Sequence, residues 1–194
     1  MKKYNHARSF TLIELMVSMF LFVIIGLLLI YFVRNGYTIY HKGQAASLAK
    51  GESDMLTTRI SNALRGTFKV LEATPTKIVV YSYYVPSDIT PTQVTFEKVN
   101  STIVLTTIKG VASGQTYSYN PATAQIKTIS SNFVANPPVP LFGYQSEVAT
   151  LNSPININAI NLIEVNLTIF SQSNSNYIYQ SSTKVNLRNL KTNL

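Results

Sequence analysis

The stretch from Arg8 to Val33, Arg-Ser-Phe-Thr-Leu-Ile-Glu-Leu-Met-Val-Ser-Met-Phe-Leu-Phe-Val-Ile-Ile-Gly-Leu-Leu-Leu-Ile-Tyr-Phe-Val, restricts the possible folds more than any other. No charge falls between Leu15 and Val33. At about 1.5 Å rise per helical residue, that run comes close to the roughly 30 Å hydrocarbon core of a bilayer. A membrane span over 12–33 is expected. Glu14 sits just inside its start. A carboxylate in hydrocarbon costs on the order of a few kcal/mol unless it finds a partner, so an intramembrane acid is a functional residue by default.

Cleavage between Ser9 and Phe10 would supply that partner. The new α-amine would stand four residues before Glu14 in its own chain. In a stack of parallel helices, the amine of one chain would meet the carboxylate of the next, and each ion would offset the other's burial cost.

Ser9-Phe10-Thr11-Leu12-Ile13-Glu14-Leu15 follows a short leader carrying Lys2, Lys3 and Arg8 and precedes an apolar helix. This arrangement closely resembles the processing site of type IV pilins and of the related pseudopilins of type II secretion. The resemblance implies a membrane prepilin peptidase that removes residues 1–9 and methylates Phe10, and it implies that Glu14 guides subunit docking. The family has glycine before the cut, where this chain has Ser9. Leu141-Phe-Gly-Tyr144 and Val185-Asn-Leu-Arg-Asn189 are also reminiscent of the W-class minor pilins and the J-class pseudopilins.

An ordinary secretory signal places its cleavage site after the apolar segment. Here the resembling site comes before it, so the apolar helix would stay on the mature protein. Arg34, Lys42 and Lys50 flank the far side of the span, so the positive-inside tendency alone does not orient it. The pilin resemblance implies a leader in the cytoplasm and a β domain outside the cytoplasmic membrane, reaching the cell exterior after assembly.

Beyond Val33 the helical pattern continues. Ala45, Leu48, Ala49, Met55, Leu56, Ile60, Ala63 and Leu64 recur at helical spacing, with Lys50, Glu52, Ser53, Asp54 and Thr57 on other faces. Arg34-Asn35-Gly36 is the expected place for a bend or loosened turn, and Gly66 for a stop. A helix over 10–66 would be roughly 80 Å long. That is far longer than one domain can cover, so other molecules must bury half of it.

From Phe68 onward the period changes to two, with β-branched and aromatic residues dominant. Lys77 to Val85 reads as a central strand, and Thr92–Lys98 turns at Asn100-Ser101 into Thr102–Ile108. Asn120-Pro121 is expected to join Gln115–Tyr119 with Gln125–Ile129. Proline at 137, 138 and 140 makes 131–140 a loop, and Asn-rich Leu151–Ala159 is a second one. Ile163, Val165, Leu167 and Ile169 alternate with Glu164, Asn166 and Thr168. Tyr177–Gln180 and Lys184–Leu190 end the chain as a strand or pair, after a turn at 173–176. The fold class is therefore α+β and pilin-like: a leader over 1–9, a long helix over 10–66 and an antiparallel β domain over 67–194.

Composition narrows the function. Without cysteine there is neither a disulfide framework nor a thiolate metal site. His41 stands alone beyond the leader, and Asp54 and Asp88 lack a carboxylate neighbour at an acid-base spacing. Nucleophile elbow, phosphate loop and zinc-protease motifs are missing. No enzyme activity, metal or cofactor is expected.

Sixteen Lys and Arg face eight Asp and Glu, and loss of the leader leaves 13. A basic surface can attract nucleic acid or anionic lipid. Tyr81, Tyr83, Tyr84, Tyr117, Tyr119, Tyr144, Tyr177 and Tyr179 are candidates to stack on single-stranded bases. Strands also favour tyrosine for ordinary packing.

The leading reading is a minor pilin or pseudopilin docked by its helix in a filament or at its tip. Its expected partners are other pilins or pseudopilins, the prepilin peptidase, a membrane assembly platform, and membrane lipid before assembly. The alternatives are a pilus-associated adhesin or DNA-uptake receptor, or a protein merely anchored by one span.

Overall fold

A computed structural model describes residues 11–84, 89–114, 116–132, 140–171 and 174–187. By its internal contacts the chain divides into two units, Met1–Gln44 and Ala45–Leu194. One helix, α1 (Leu12–Arg65), runs through both. Antiparallel sheets follow it, so the expected α+β layout is the one observed.

In the first unit, the apolar side chains from Leu12 to Val33 lie open to the surroundings, on a helix long and apolar enough to cross a membrane. Contrary to the expectation of a loosened turn, α1 is α-helical through Arg34-Asn35-Gly36, where the Thr38 hydroxyl donates to the Arg34 carbonyl at 2.9 Å. The reason is energetic. A glycine costs up to about 1 kcal/mol in a helix interior, whereas interrupting the helix would require the unfavourable nucleation step to be repeated.

In the second unit, α1 buries Ala45, Ala49, Ser53, Leu56, Ile60, Ala63 and Leu64. Two expected members of this stripe are not in it: Leu48 is 64% and Met55 62% exposed, while Ser53, expected elsewhere, is fully buried. At 3.6 residues per turn, Leu48 and Met55 lie roughly 60° and 80° to one side of Ala45, and the buried arc extends the other way. Ser53 is tolerated inside because its Oγ lies 2.6 Å from Ser181 Oγ.

α1 stops before Gly66, as expected, and close approach explains why glycine is needed. A Cβ there would meet Ser82 Oγ at 2.8 Å and the Tyr83 carbonyl oxygen at 2.9 Å. The chain then forms a five-stranded antiparallel sheet in the order β1-β2-β3-β4-β7: β1 (Thr67–Ala73), β2 (Lys77–Ser82), β3 (Thr92–Val99), β4 (Thr102–Lys109) and β7 (Gln125–Ser130). The expected turn between β3 and β4 is present, with Val99 opposite Thr102 and Asn100 at φ 54°. Asparagine tolerates this left-handed region better than most residues.

The join at Asn120-Pro121 is a different structure from the one expected. β6 (Thr116–Ser118) pairs with β5 (Val111–Ser113), and β7 pairs with β4. Between them Pro121–Thr123 forms a 3-10 turn whose first amides are satisfied locally, the Asn120 side chain accepting from the Ala122 amide at 3.0 Å. Proline with its preset φ, placed after a capping asparagine, starts a helical turn rather than a hairpin.

A four-stranded sheet has the order β11-β10-β8-β9, from β8 (Phe142–Gln145), β9 (Thr150–Leu151), β10 (Leu162–Ser171) and β11 (Asn174–Asn186). Tyr177–Gln180 and Lys184–Asn186 belong to one strand, as do Asn174 to Asn176, expected in a turn; Ser171 pairs with Asn174. Arg188 to Leu190 do not figure among the described residues, nor do Val85, Asp88 and most of the 131–140 loop. Leu151–Ala159 is largely loop, with a 3-10 turn at Ile157–Ala159.

The core gathers Leu56, Ile60 and Leu64 of α1, Ile78, Val80, Val94, Phe96, Ile103 and Leu105 of the larger sheet, and Phe142, Tyr144, Ile163, Val165, Leu167 and Ile169 of the smaller one. At its edge, the Tyr144 hydroxyl donates to the Thr74 carbonyl at 2.8 Å and the Phe142 amide donates to the Pro75 carbonyl at 3.1 Å. Both bonds tie β8 to the turn between β1 and β2.

Candidate functional site

The N-terminus of α1 is built by four residues, Thr11-Leu12-Ile13-Glu14. Thr11 precedes the first helical residue and Glu14 is the third within the helix. The Thr11 amide donates to Glu14 Oε2 at 3.0 Å, the Thr11 hydroxyl donates to the same oxygen at 3.1 Å, and the Glu14 amide donates back to Thr11 Oγ1 at 3.3 Å. This reciprocal pattern is a capping box, which satisfies amides that a helix start would otherwise leave unpaired.

The arrangement refines the view of Glu14 taken from the sequence. Its carboxylate sits where the helix dipole favours negative charge, by about 0.3–1 kcal/mol, and it has neutral donors in its own chain. Those donors hold the side chain in place without cancelling its charge. Sequence reasoning overlooked Thr11 as the holder of Glu14, although the Thr-x-x-Glu spacing carried that signal. The remaining expected site residues, Lys2, Lys3, Arg8, Ser9 and Phe10, lie outside the described residues.

Among the described tyrosines, several pack on other groups of the chain, while Tyr83 and Tyr117 are exposed. Tyr81 and Tyr119 stack on each other with centroids 4.3 Å apart and planes at 9°, while Phe68 packs 6.0 Å from Tyr81 and 5.9 Å from Tyr83. Burial pushes the Tyr119 hydroxyl up to about 12, with Tyr81, Tyr117 and Tyr83 adding to the shift. Tyr144 belongs to the core and the Tyr84 hydroxyl accepts from Arg59 Nε at 2.9 Å. Glu52 is likewise a tie rather than a solvated charge, accepting from Ser130 Oγ at 2.7 Å and Asn132 Nδ2 at 2.9 Å.

Residues 4–30 match the family model of the prokaryotic N-terminal methylation motif, which is typical of type IV pilin-like proteins. The chain's N-terminal segment is similar to that of type IV pilin-like proteins, and the long apolar helix fits. No curated protein and no solved structure is significantly similar to the chain. The motif supports a pilin or pseudopilin-like substrate, implies prepilin peptidase processing and pilin assembly partners in general, and points to a structural protein. Together with the apolar helix near the N-terminus, it supports membrane anchoring.

Proposed function

We propose that the chain is a minor pilin or pseudopilin: a leader over 1–9, a helix over 10–66 that anchors and then assembles, and a β domain over 67–194. The prepilin peptidase cuts between Ser9 and Phe10 and methylates the Phe10 amine. The leader faces the cytoplasm and the β domain lies outside, carried to the exterior on assembly. Neighbouring helices then replace lipid around Leu12 to Val33, and Glu14 pairs with the N-terminus of an adjacent subunit to set its register.

The observation that carries this reading is the methylation motif over 4–30 running directly into an apolar helix whose only early acid is held at the helix start by Thr11. The test is the intact mass and N-terminal sequence of the native protein. A mature chain beginning with methylated Phe10 is expected; retention of Met1 in working protein would overturn the assignment.

A further inference from the structure

The helix just past the apolar run is rich in cations and aromatic residues that docking through Glu14 does not use. No acid occurs between Glu14 and Glu52, yet Arg34, Lys42 and Lys50 do. Tyr37 and Tyr40 lie between the first two cations at 66% and 67% exposure, and Arg34, His41 and Lys42 are exposed as well. The His41 ring lies 4.2 Å from that of Tyr37 and 5.8 Å from that of Tyr40, so the aromatic groups form one cluster on the helix surface.

Position gives this cluster a meaning. If the hydrocarbon core ends near Val33, residues 34–42 occupy about the next 13 Å along the helix axis, which covers the headgroup layer and its water boundary. Side chains on a helix tilt toward its N-terminus. For this segment that direction is back toward the bilayer, so even Lys42 can return its ammonium to headgroup level along its flexible stem. Tyrosine is the residue whose ring and hydroxyl suit an apolar-polar boundary.

We propose that Arg34–Lys42 is an interfacial collar that binds the phosphate headgroups of anionic phospholipids. Arg34 and Lys42 supply the charge, and Tyr37, Tyr40 and His41 the packing between them. That the lipids belong to the outer leaflet rests on the orientation proposed above; their binding does not. The collar holds the subunit at a defined depth before assembly.

The full chain, with Lys2, Lys3 and Arg8 changed to Gln so that leader charges cannot contribute, is mixed with equimolar phosphatidylglycerol and phosphatidylcholine. Retained lipid is then counted by native mass spectrometry. Several-fold enrichment of phosphatidylglycerol is expected, with a decline as salt rises and loss of the preference in Arg34→Gln/Lys42→Gln. Because both side chains are exposed, the helical circular dichroism of that variant should be unchanged. Equal retention of the two lipids by the parent, or undiminished enrichment in the double variant, would overturn the proposal. So would displacement of phosphatidylglycerol by inorganic phosphate at constant ionic strength, since that would mark an ion site rather than a lipid surface. Phe10 processing has no part in the assay, so its outcome is separate from that of the pilin assignment.

Discussion

Glu14 combines two roles that can be separated by substitution. Glu14→Gln keeps an oxygen able to accept from Thr11, since a capping box accepts Glu or Gln at this position, but it removes the charge. Thr11→Val keeps the charge but removes the hydroxyl that lies 3.1 Å from Oε2 and 3.3 Å from the Glu14 amide. Loss of a threonine cap costs about 1 kcal/mol, less than tenfold in an equilibrium. Leaving a neighbour's amine unpaired in an apolar setting costs about 3 kcal/mol, or roughly a hundredfold at 1.4 kcal/mol per decade. In sheared filaments from cells expressing each variant, Thr11→Val should therefore be modestly reduced. Glu14→Gln should be nearly absent while accumulating in the membrane fraction. Equal incorporation of Glu14→Gln and the parent would refute the pairing, and a larger defect in Thr11→Val would show that capping, not charge, is the dominant role.

Other predictions concern the β domain. Tyr144→Phe removes a buried hydroxyl that donates to the Thr74 carbonyl at 2.8 Å, and should lower unfolding free energy by about 1–3 kcal/mol in urea titrations. Burial holds the Tyr144 and Tyr119 hydroxyls above the ordinary phenol range. Their contribution is complete below the unfolded value near pH 10 and is lost as pH rises beyond it, so thermal stability should fall above about pH 10. Tyr144→Phe should flatten that fall. Ser53→Ala breaks the buried contact with Ser181 and should cost about 1 kcal/mol, whereas Ser61 has a buried hydroxyl without a hydrogen-bond partner among the described residues, so Ser61→Ala should be neutral or stabilising in the same titration. Gly110→Ala would bring a Cβ to 2.6 Å from the Pro91 carbonyl oxygen and 3.1 Å from the Tyr119 ring. It should destabilise by about 1–3 kcal/mol and disturb the Tyr81-Tyr119 stack, as read by near-ultraviolet circular dichroism.

Where one local rule dominated, the sequence was readable. The apolar helix, the alternation through β10 and the Asn100-Ser101 turn each depend on nearby residues, and the structure has them in the expected form. Choices made by distant partners were harder to read. Ser53 is buried because Ser181, far along the chain, provides a hydroxyl for it, while Leu48 lies off the buried arc. β6 pairs back to β5 because Pro121 favours a helical turn, and β8 is too short to display a period. At the candidate site Glu14 was visible from its charge, but its Thr11 partner required reading the spacing as a cap.

The turn from Thr74 to Lys77 has a consequence for engineering. Besides its own bonds, it receives the Lys98 amide on Thr76, the Phe142 amide on Pro75 and the Tyr144 hydroxyl on Thr74. An epitope tag spliced there would disturb attachments from two strands, β3 and β8, at once, whereas one placed between Asn100 and Ser101 would lengthen a hairpin and leave those attachments intact. A filament label for microscopy therefore belongs in the second position.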